Sequence, residues 1–500
     1  MKSASTVGLF IAILALAAAL RFWGIGTESL WLDETISVKL AQSSPAQLLV
    51  LTAQDIHPPL YYLLLRGWLI FGRSEAAVRS LSAAAGVLAV AALYALGRQL
   101  WSAGVGLVVA LFLAVSPLHI QYAQEARMYA LVTLWATLSS WLMARAWIKG
   151  GWLNWAGYIF ATACGMYTHY FMGFIILGQN LFAGYLWVRR AFSGSQKEVL
   201  PIRSWIIAQL AWVALFSPWL PTAIRQVQQG GGGWVAQAVG RPSWRVLWDV
   251  FMSFSIGPTR GWPPAWARYL SMAIPLLAAL GGLWVIGDRR SGLPPGENRW
   301  PPRDGGVFCL ALWAVPLAIV WLISQAKPIY HPRYVLPFQP ALSLFLAAGV
   351  VFVGRRWRVA GLILAGLIVV FSLGSVYLQA LTLQKPPWRV LVAHLLAESR
   401  EGDVVVPEPF WNADPLRYYG ADRLVIYDGM PWPATAESVE RAAAEAAAGR
   451  RRLWLVEDTS HYSNRERLLA GYLNAHYPRR QVTRYPGIGE VALYLLSSEP

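Results

Sequence analysis

The sequence predicts a polytopic α-helical membrane protein with about eleven transmembrane helices, juxtamembrane helices in the first exterior loop and a C-terminal soluble α/β domain. Three observations carry this prediction. The 500 residues are 56% hydrophobic and only 14% charged, where a soluble domain carries about 25% charged residues. From Val7 to about Leu378 the chain reads as apolar runs of roughly 18 to 22 residues, the length that crosses a bilayer as a helix. Beyond about Thr382 the character changes, because 15 of the 26 acidic residues lie at Glu398 or later. The domains are therefore 1–380, in the membrane, and 381–500, outside it.

Taken in order, the first span covers Thr6 to Trp23. Lys2 and the small residues Ala17 to Ala19 also fit a secretory signal, but the apolar run continues to Trp23 and further spans follow, so an uncleaved helix is expected. Pro58 to Phe71 is apolar yet only 14 residues long, a length that suits an interfacial or re-entrant segment. The remaining spans are expected at Ser80–Leu96, Gly104–Leu118, Tyr129–Trp147, Trp155–Tyr167, Phe171–Val188, Trp205–Leu220, Tyr269–Ile286, Val307–Ile323, Tyr334–Val353 and Val359–Leu378.

Basic residues decide that Pro58 to Phe71 stays on one side. With that parity Arg98, Lys149, Arg189, Arg190, Lys197, Arg203, Arg289, Arg290, Arg299, Arg303, Arg355, Arg356 and Arg358 all fall in cytoplasmic loops, as the positive-inside rule requires. A crossing there would move every one of them outside. The N-terminus is then cytoplasmic in a plasma (inner) membrane, and the C-terminal domain is exterior. Arg225, Arg241, Arg245, Arg260 and Arg268 in a long exterior loop, with Lys327 and Arg333 in a short one, are exceptions for which a ligand is a candidate reason.

The C-terminal part alternates strands (Asp403–Val406, Leu424–Tyr427, Leu453–Val456, Gln481–Tyr485, Val491–Leu496) with helices (Trp388–Glu398, Ala436–Ala448, Arg465–His476), which predicts a small α/β domain. It lacks a phosphate-loop or dinucleotide fingerprint, so a cap or acceptor-docking role is expected. Gly230 to Gly233 mark a hinge in the long exterior loop.

Composition also excludes function classes. The net charge of +16 is concentrated in short loops that orient the protein, so no nucleic-acid role is assigned. Cys164 and Cys309 lie in apolar runs and are packing residues rather than a disulfide framework. No acid falls inside a predicted span, which disfavours an ion-coupled transporter.

Four polar clusters share the exterior face. They are Asp33-Glu34; Asp55-Ile56-His57-Pro58-Pro59-Leu60-Tyr61-Tyr62; Gln121 to Tyr129 with Glu125 and Arg127; and His331-Pro332-Arg333-Tyr334. Each also has a structural reading: Asp55 and His57 can cap a turn, Glu125 can pair with Arg127, and Arg333 can snorkel at the interface. Together they suit group transfer from a lipid phosphate. A carboxylate, Asp33 or Glu34, deprotonates the acceptor. Cations at Arg333 and Arg127, with His57 and His331, hold the leaving phosphate. Trp31, Tyr61 and Tyr62 offer aromatic faces for a sugar or lipid head group.

An Asp-Glu pair in the first exterior loop, then His57-Pro-Pro-Leu-Tyr-Tyr62, then Gln124-Glu-Ala-Arg-Met-Tyr129, resembles membrane glycosyltransferases of the GT-C superfamily. The likeness is to the branch of protein O-mannosyltransferases and lipid A aminoarabinose transferases (family 39 and its neighbours), and it covers roughly Leu9 to Phe345. It implies a polyprenyl-phosphate sugar donor, inversion at the anomeric carbon, and a first-loop base that maps onto Asp33 with Glu34 as its partner. It also implies that Pro58 to Phe71 is a juxtamembrane helix and that Glu125 is the second-loop acid. Some members bind a divalent cation and others do not, which makes Asp33 and Glu125 the candidate metal ligands. A soluble α/β tail is not that of eukaryotic O-mannosyltransferases, so the acceptor, whether glycan, lipid or protein, does not carry over. The rival readings are a lipid-linked sugar flippase and a non-catalytic assembly protein.

Overall fold

The computed structural model describes residues 2–193, 200–228, 235–236, 239–257, 265–287, 300–382, 384–429, 435–450, 452–458, 468–476, 479–485 and 491–497. Lys197, the glycines Gly230 to Gly233, Trp234, Arg260, Trp262, Arg289, Arg290, Arg299 and the start of the helix expected over Arg465–His476 lie outside them. The chain divides into two compact units. One comprises Met1–Trp23, Ser43–Gly72 and Val78–Leu378; the other comprises Gly24–Gln42, Arg73–Ala77 and Gln379–Pro500.

The first unit is helical: α1 (Lys2–Phe22), then, after α2 (Leu32–Gln42) of the other unit, α3 (Pro45–Gln54), α4 (Leu60–Trp68), α5 (Glu75–Leu100, which begins in the other unit), α6 (Ala103–Ala114), α7 (Pro117–Ala123), α8 (Tyr129–Lys149) and α9 (Trp152–Thr168). It continues with α10 (Met172–Ser193), α11 (Ile202–Phe216), α12 (Leu220–Gln228), α13 (Arg245–Ser255), α14 (Ala265–Gly287), α15 (Pro302–Ala326), α16 (Gln339–Arg356) and α17 (Arg358–Ala380). Among the described residues six helical segments are long and apolar enough to cross a membrane, or up to eight if each of two bent pairs is one span. The protein is thus a multi-pass membrane protein. The segment Leu60–Phe71 is a short apolar helix; at 1.5 Å per residue it spans about 18 Å, well short of a hydrocarbon core about 30 Å thick.

Two expected spans are broken. α6 and α7 meet at 62°, and α11 and α12 at 75°. At the first break Pro117 forces Ser116 into an extended conformation and ends α6. Ser116 Oγ then caps α7 by accepting from the His119 amide. A buried arginine braces the break: Arg21 on α1 donates at 2.9 Å each to Ala114 O and to Leu113 O, which also accepts from the Ser116 amide, and its Nη2 lies 2.9 Å from His119 Nδ1. The exterior loop expected over His119 to Met128 is accordingly helical as far as Ala123.

Elsewhere small and polar residues set the packing, as expected where lipid removes most of the hydrophobic drive between helices. A Cβ at Gly349 on α16 would collide with the Ala278 carbonyl of α14. A hydrogen-bonded seam links α8 to α11, with Gln179 Nε2 donating to Ser139 Oγ (3.1 Å), Tyr158 OH to Gln179 Oε1 (3.2 Å) and Gln209 Nε2 to Tyr158 OH (3.0 Å). α15 starts five residues before the span predicted from Val307, which brings buried Asp304 into its first turn. There Asp304 pairs with Arg189 and accepts from Tyr185.

The second unit is built on a five-stranded sheet, β1 (Val404–Glu408), β2 (Val425–Ile426), β3 (Arg452–Asp458), β4 (Arg479–Tyr485) and β5 (Val491–Ser497), in the order β2-β1-β3-β5-β4. β1 runs parallel to β2 and β3, while β5 is antiparallel to β3 and β4. Strand alternation sends Val404, Val406, Leu453 and Leu455 to one face, where they pack on the helices Ala436–Ala447 and Leu468–His476. Val405, Trp454 and Val456 go to the other, against Trp388, Leu391 and Leu395 of the helix Trp388–Glu398. α2, from the first loop, packs in this unit against the helix Ala413–Tyr418.

Candidate active site

In the membrane unit the prolines organise the site locally. Asp55 closes α3, and Pro58-Pro59 prevent helix until Leu60. His57 is thereby held in the turn, where it is buried, with Nδ1 3.3 Å from Asp55 Oδ2. Gln226 of α12 fixes the same turn by donating to Thr52 O (2.8 Å) and Asp55 O (2.5 Å). Tyr61 and Tyr62, on the first turn of α4, are fully buried. Tyr61 OH lies 2.9 Å from Ser82 Oγ, which donates to the Arg127 carbonyl at 2.9 Å. Arg127 Nη1 in turn donates to Tyr62 OH at 3.5 Å.

The later cluster joins this one. The Arg333 guanidinium lies 5.6 Å from the ring centre of Tyr129 and 5.7 Å from that of Tyr334, a cation–aromatic arrangement. Tyr334 stacks obliquely on His331 (5.7 Å) and on His169 (5.0 Å), and His169 lies 6.0 Å from His57. Residues from four loops, 55–62, 125–129, 169 and 331–334, thus converge. Glu125 and Arg127 are both buried.

The electrostatics separate the charges. Burial, opposed by the Asp55 carboxylate and reinforced by the nearby cations Arg127 and Arg333, pulls His57 below the usual histidine range. Burial pushes Asp55 up, but the His57 hydrogen bond and charge, the Ile56 amide and Arg127 outweigh it and hold that carboxyl below its ordinary value. His169 is driven well below the histidine range by burial, with His57, Arg127 and Arg333 adding to the effect. His57 and His169 are therefore neutral hydrogen-bonding groups, and Arg127 and Arg333 supply positive charge to the cluster.

His169 was not singled out by sequence reasoning; its only signal is a polar ring in a three-residue connection between two helices. Lys327, for which a ligand was a candidate reason, donates to the Val227 carbonyl at the end of α12, at 2.9 Å, and Arg225, Arg241 and Arg245 are exposed.

Asp33 and Glu34 lie in the second unit, in the first turn of α2. Two adjacent acids there face different surroundings. Glu34 is fully buried, 3.4 Å from Lys385 Nζ, and accepts from the Trp31 amide at 3.3 Å. Asp33 is only partly buried. Among the described residues, no three His, Cys, Asp or Glu side chains converge as metal ligands.

Residues 56–221, which contain the His57 turn, Arg127 and His169, match the family described as dolichyl-phosphate-mannose-protein mannosyltransferase. The matched segment is about one third of the chain's 500 residues. The fold of the chain is similar to that of ArnT from Cupriavidus metallidurans in the apo state, with a TM-score of 0.60 at 13% identity over 99% of this chain and 98% of that one. ArnT bound to undecaprenyl phosphate matches with a TM-score of 0.55 at 12% identity over 97% of this chain and 98% of that one. The archaeal oligosaccharyltransferase AglB from Archaeoglobus fulgidus, in complex with an inhibitory peptide and a dolichol-phosphate, matches with a TM-score of 0.58 at 12% identity over 99% of this chain and 75% of that one. At these identities the likeness is one of fold. No curated protein matches the sequence of the chain.

Proposed function

We propose that the enzyme moves one sugar from a polyprenyl-phosphate carrier to an acceptor on the exterior face of the plasma membrane, with inversion. Eleven helices cross in this reading: α1, α5, α6 with α7, α8, α9, α10, α11, α14, α15, α16 and α17, with the N-terminus inside. The observation that carries the proposal is the convergence of Arg127 and Arg333, some two hundred positions apart in sequence, with the His57 turn inside and beside the matched segment.

In the transfer step the acceptor oxygen or nitrogen attacks the anomeric carbon from the face opposite the phosphate. The bond from that carbon to the phosphate oxygen breaks, and the oxygen keeps the electron pair. Arg127 and Arg333 stabilise the growing negative charge, while Tyr61, Tyr62, Tyr129, His331 and Tyr334 line the donor's surroundings. Asp33 takes the acceptor proton. Glu125 is a further donor-binding group. A divalent cation bound at Asp33 or Glu125 would supply additional charge to the phosphate.

The test is transfer by the purified protein from polyprenyl-phosphate sugars, measured with Arg127→Ala and Arg333→Ala. A loss of transfer with weakened donor binding in both variants supports the reading. Undiminished transfer and donor binding in both would overturn it.

A further inference from the structure

The second unit ties the first-loop segment to the C-terminal domain at successive points. Arg389 donates from its Nη2 to Thr27 O at 3.0 Å and from its backbone amide to Ser29 Oγ at 3.1 Å, and its Nη1 meets Glu75 Oε1 at 3.0 Å. Tyr419 OH accepts from the Leu30 amide at 2.7 Å and donates to the same Glu75 oxygen at 3.1 Å. Lys39, at the far end of α2, pairs with Asp414 at 2.7 Å. Between these ties, at the N-terminus of α2, the Lys385 ammonium lies 3.4 Å from Glu34 Oε2, with side-chain exposures of 10% and 0%.

A fully buried carboxylate paired with a mostly covered ammonium, and already accepting from the Trp31 amide, suits holding a helix start rather than accepting protons from a mobile acceptor. Breaking such a pair removes the opposite charge from a buried carboxylate. Asp33, its neighbour, shares the same helical turn but is more open.

We propose that Lys385 is a positioning residue: through Glu34 it fixes the first turn of α2 and so the orientation of the Asp33 carboxylate. The C-terminal domain is then a working part of the transferase that sets its base, not a separate acceptor-docking module. The inference rests on the reading of Asp33 as the base.

The test uses full-length enzyme carrying Lys385→Met, Lys385→Arg, Glu34→Gln and the double change K385M/E34Q, with Arg441→Ala, at an exposed pair with Glu437, as control. A displaced catalytic group costs about 100-fold in rate, so K385M is expected to lower kcat by that order while donor KM stays within about twofold. Lys385→Arg restores most of the rate, and the double variant is no worse than the poorer single one. Hydrogen exchange in residues 32–42 rises in K385M and not in the control. Wild-type kcat and exchange in K385M, or additive losses in the double variant, would overturn the proposal. If K385M misfolds, Lys385→Arg and E34Q decide it: an arginine variant no better than E34Q contradicts the ion-pair role. The exchange arm needs no turnover, so retained activity in Asp33→Asn would remove the base assignment while leaving the anchor measurable.

Discussion

Arg333 and Arg127 carry the charge of the membrane-side cluster, because burial and their own proximity keep His57 and His169 neutral. In the proposed transfer either arginine would act most strongly as the phosphate leaves, so Arg333→Ala is expected to lower kcat by about 100- to 1,000-fold, the cost of one preorganised charge stabiliser. Lysine should restore only part of this, since it lacks the planar face that lies beside Tyr129 and Tyr334. A steady-state comparison of the alanine and lysine variants checks both points. The lowered His57 pKa gives a second prediction. The unfolded chain takes up a proton near pH 6.5 while the folded one resists it, so the stability that neutral His57 contributes is present above that pH and is lost as pH falls towards the folded value. Thermal unfolding at pH 7.5 and 5.5 should show a smaller drop in His57→Gln than in wild type. Most of this cluster was legible in the sequence because Asp55, His57, Arg127 and Arg333 stand in polar runs between apolar ones. His169 was not, because a lone histidine between two apolar runs carries no pattern, and its role emerges only from ring contacts made across the fold.

Helix lengths and identities were readable from apolar run length, and so was the sheet of the C-terminal domain from period-two alternation. Breaks within spans were not. Run length alone passes over Pro117, and the compensation lies ninety positions away in Arg21, whose guanidinium takes up the carbonyls of Leu113 and Ala114. Arg21→Met should therefore destabilise the α6–α7 junction by about 1–3 kcal/mol through the Ala114 carbonyl, which loses its arginine donor while Leu113 O keeps the Ser116 amide, read as a lowered unfolding temperature in detergent. Gly349 offers a complementary element-scale test. Gly349→Ala places a methyl against the Ala278 backbone, which cannot yield as a side chain would, so α14 and α16 must separate. A fall in unfolding temperature larger than that of Gly366→Ala, at an open position, is the expected result.

At the scale of the molecule the segment between α1 and α5 behaves differently from its place in the sequence. Residues 24–42 and 73–77 belong with the C-terminal domain, whereas sequence reading assigned the whole loop to the membrane part. Apolar run length and loop charge report sidedness and carry no information about which distant segment a loop packs upon; Glu34, Glu75 and Asp414 found their partners through tertiary contact alone. Sidedness itself is checked by reporter fusions at Arg98 and Arg356, both expected to read as cytoplasmic, and exterior signals at both would reverse the topology. The central claim, that this membrane protein transfers a sugar from a lipid phosphate with a first-loop carboxylate as base, is tested most directly by turnover of purified Asp33→Asn with a polyprenyl-phosphate sugar donor. General-base catalysis is worth about 100- to 10,000-fold, so transfer should fall by that order with donor binding and folding retained; transfer at the wild-type rate would contradict the account.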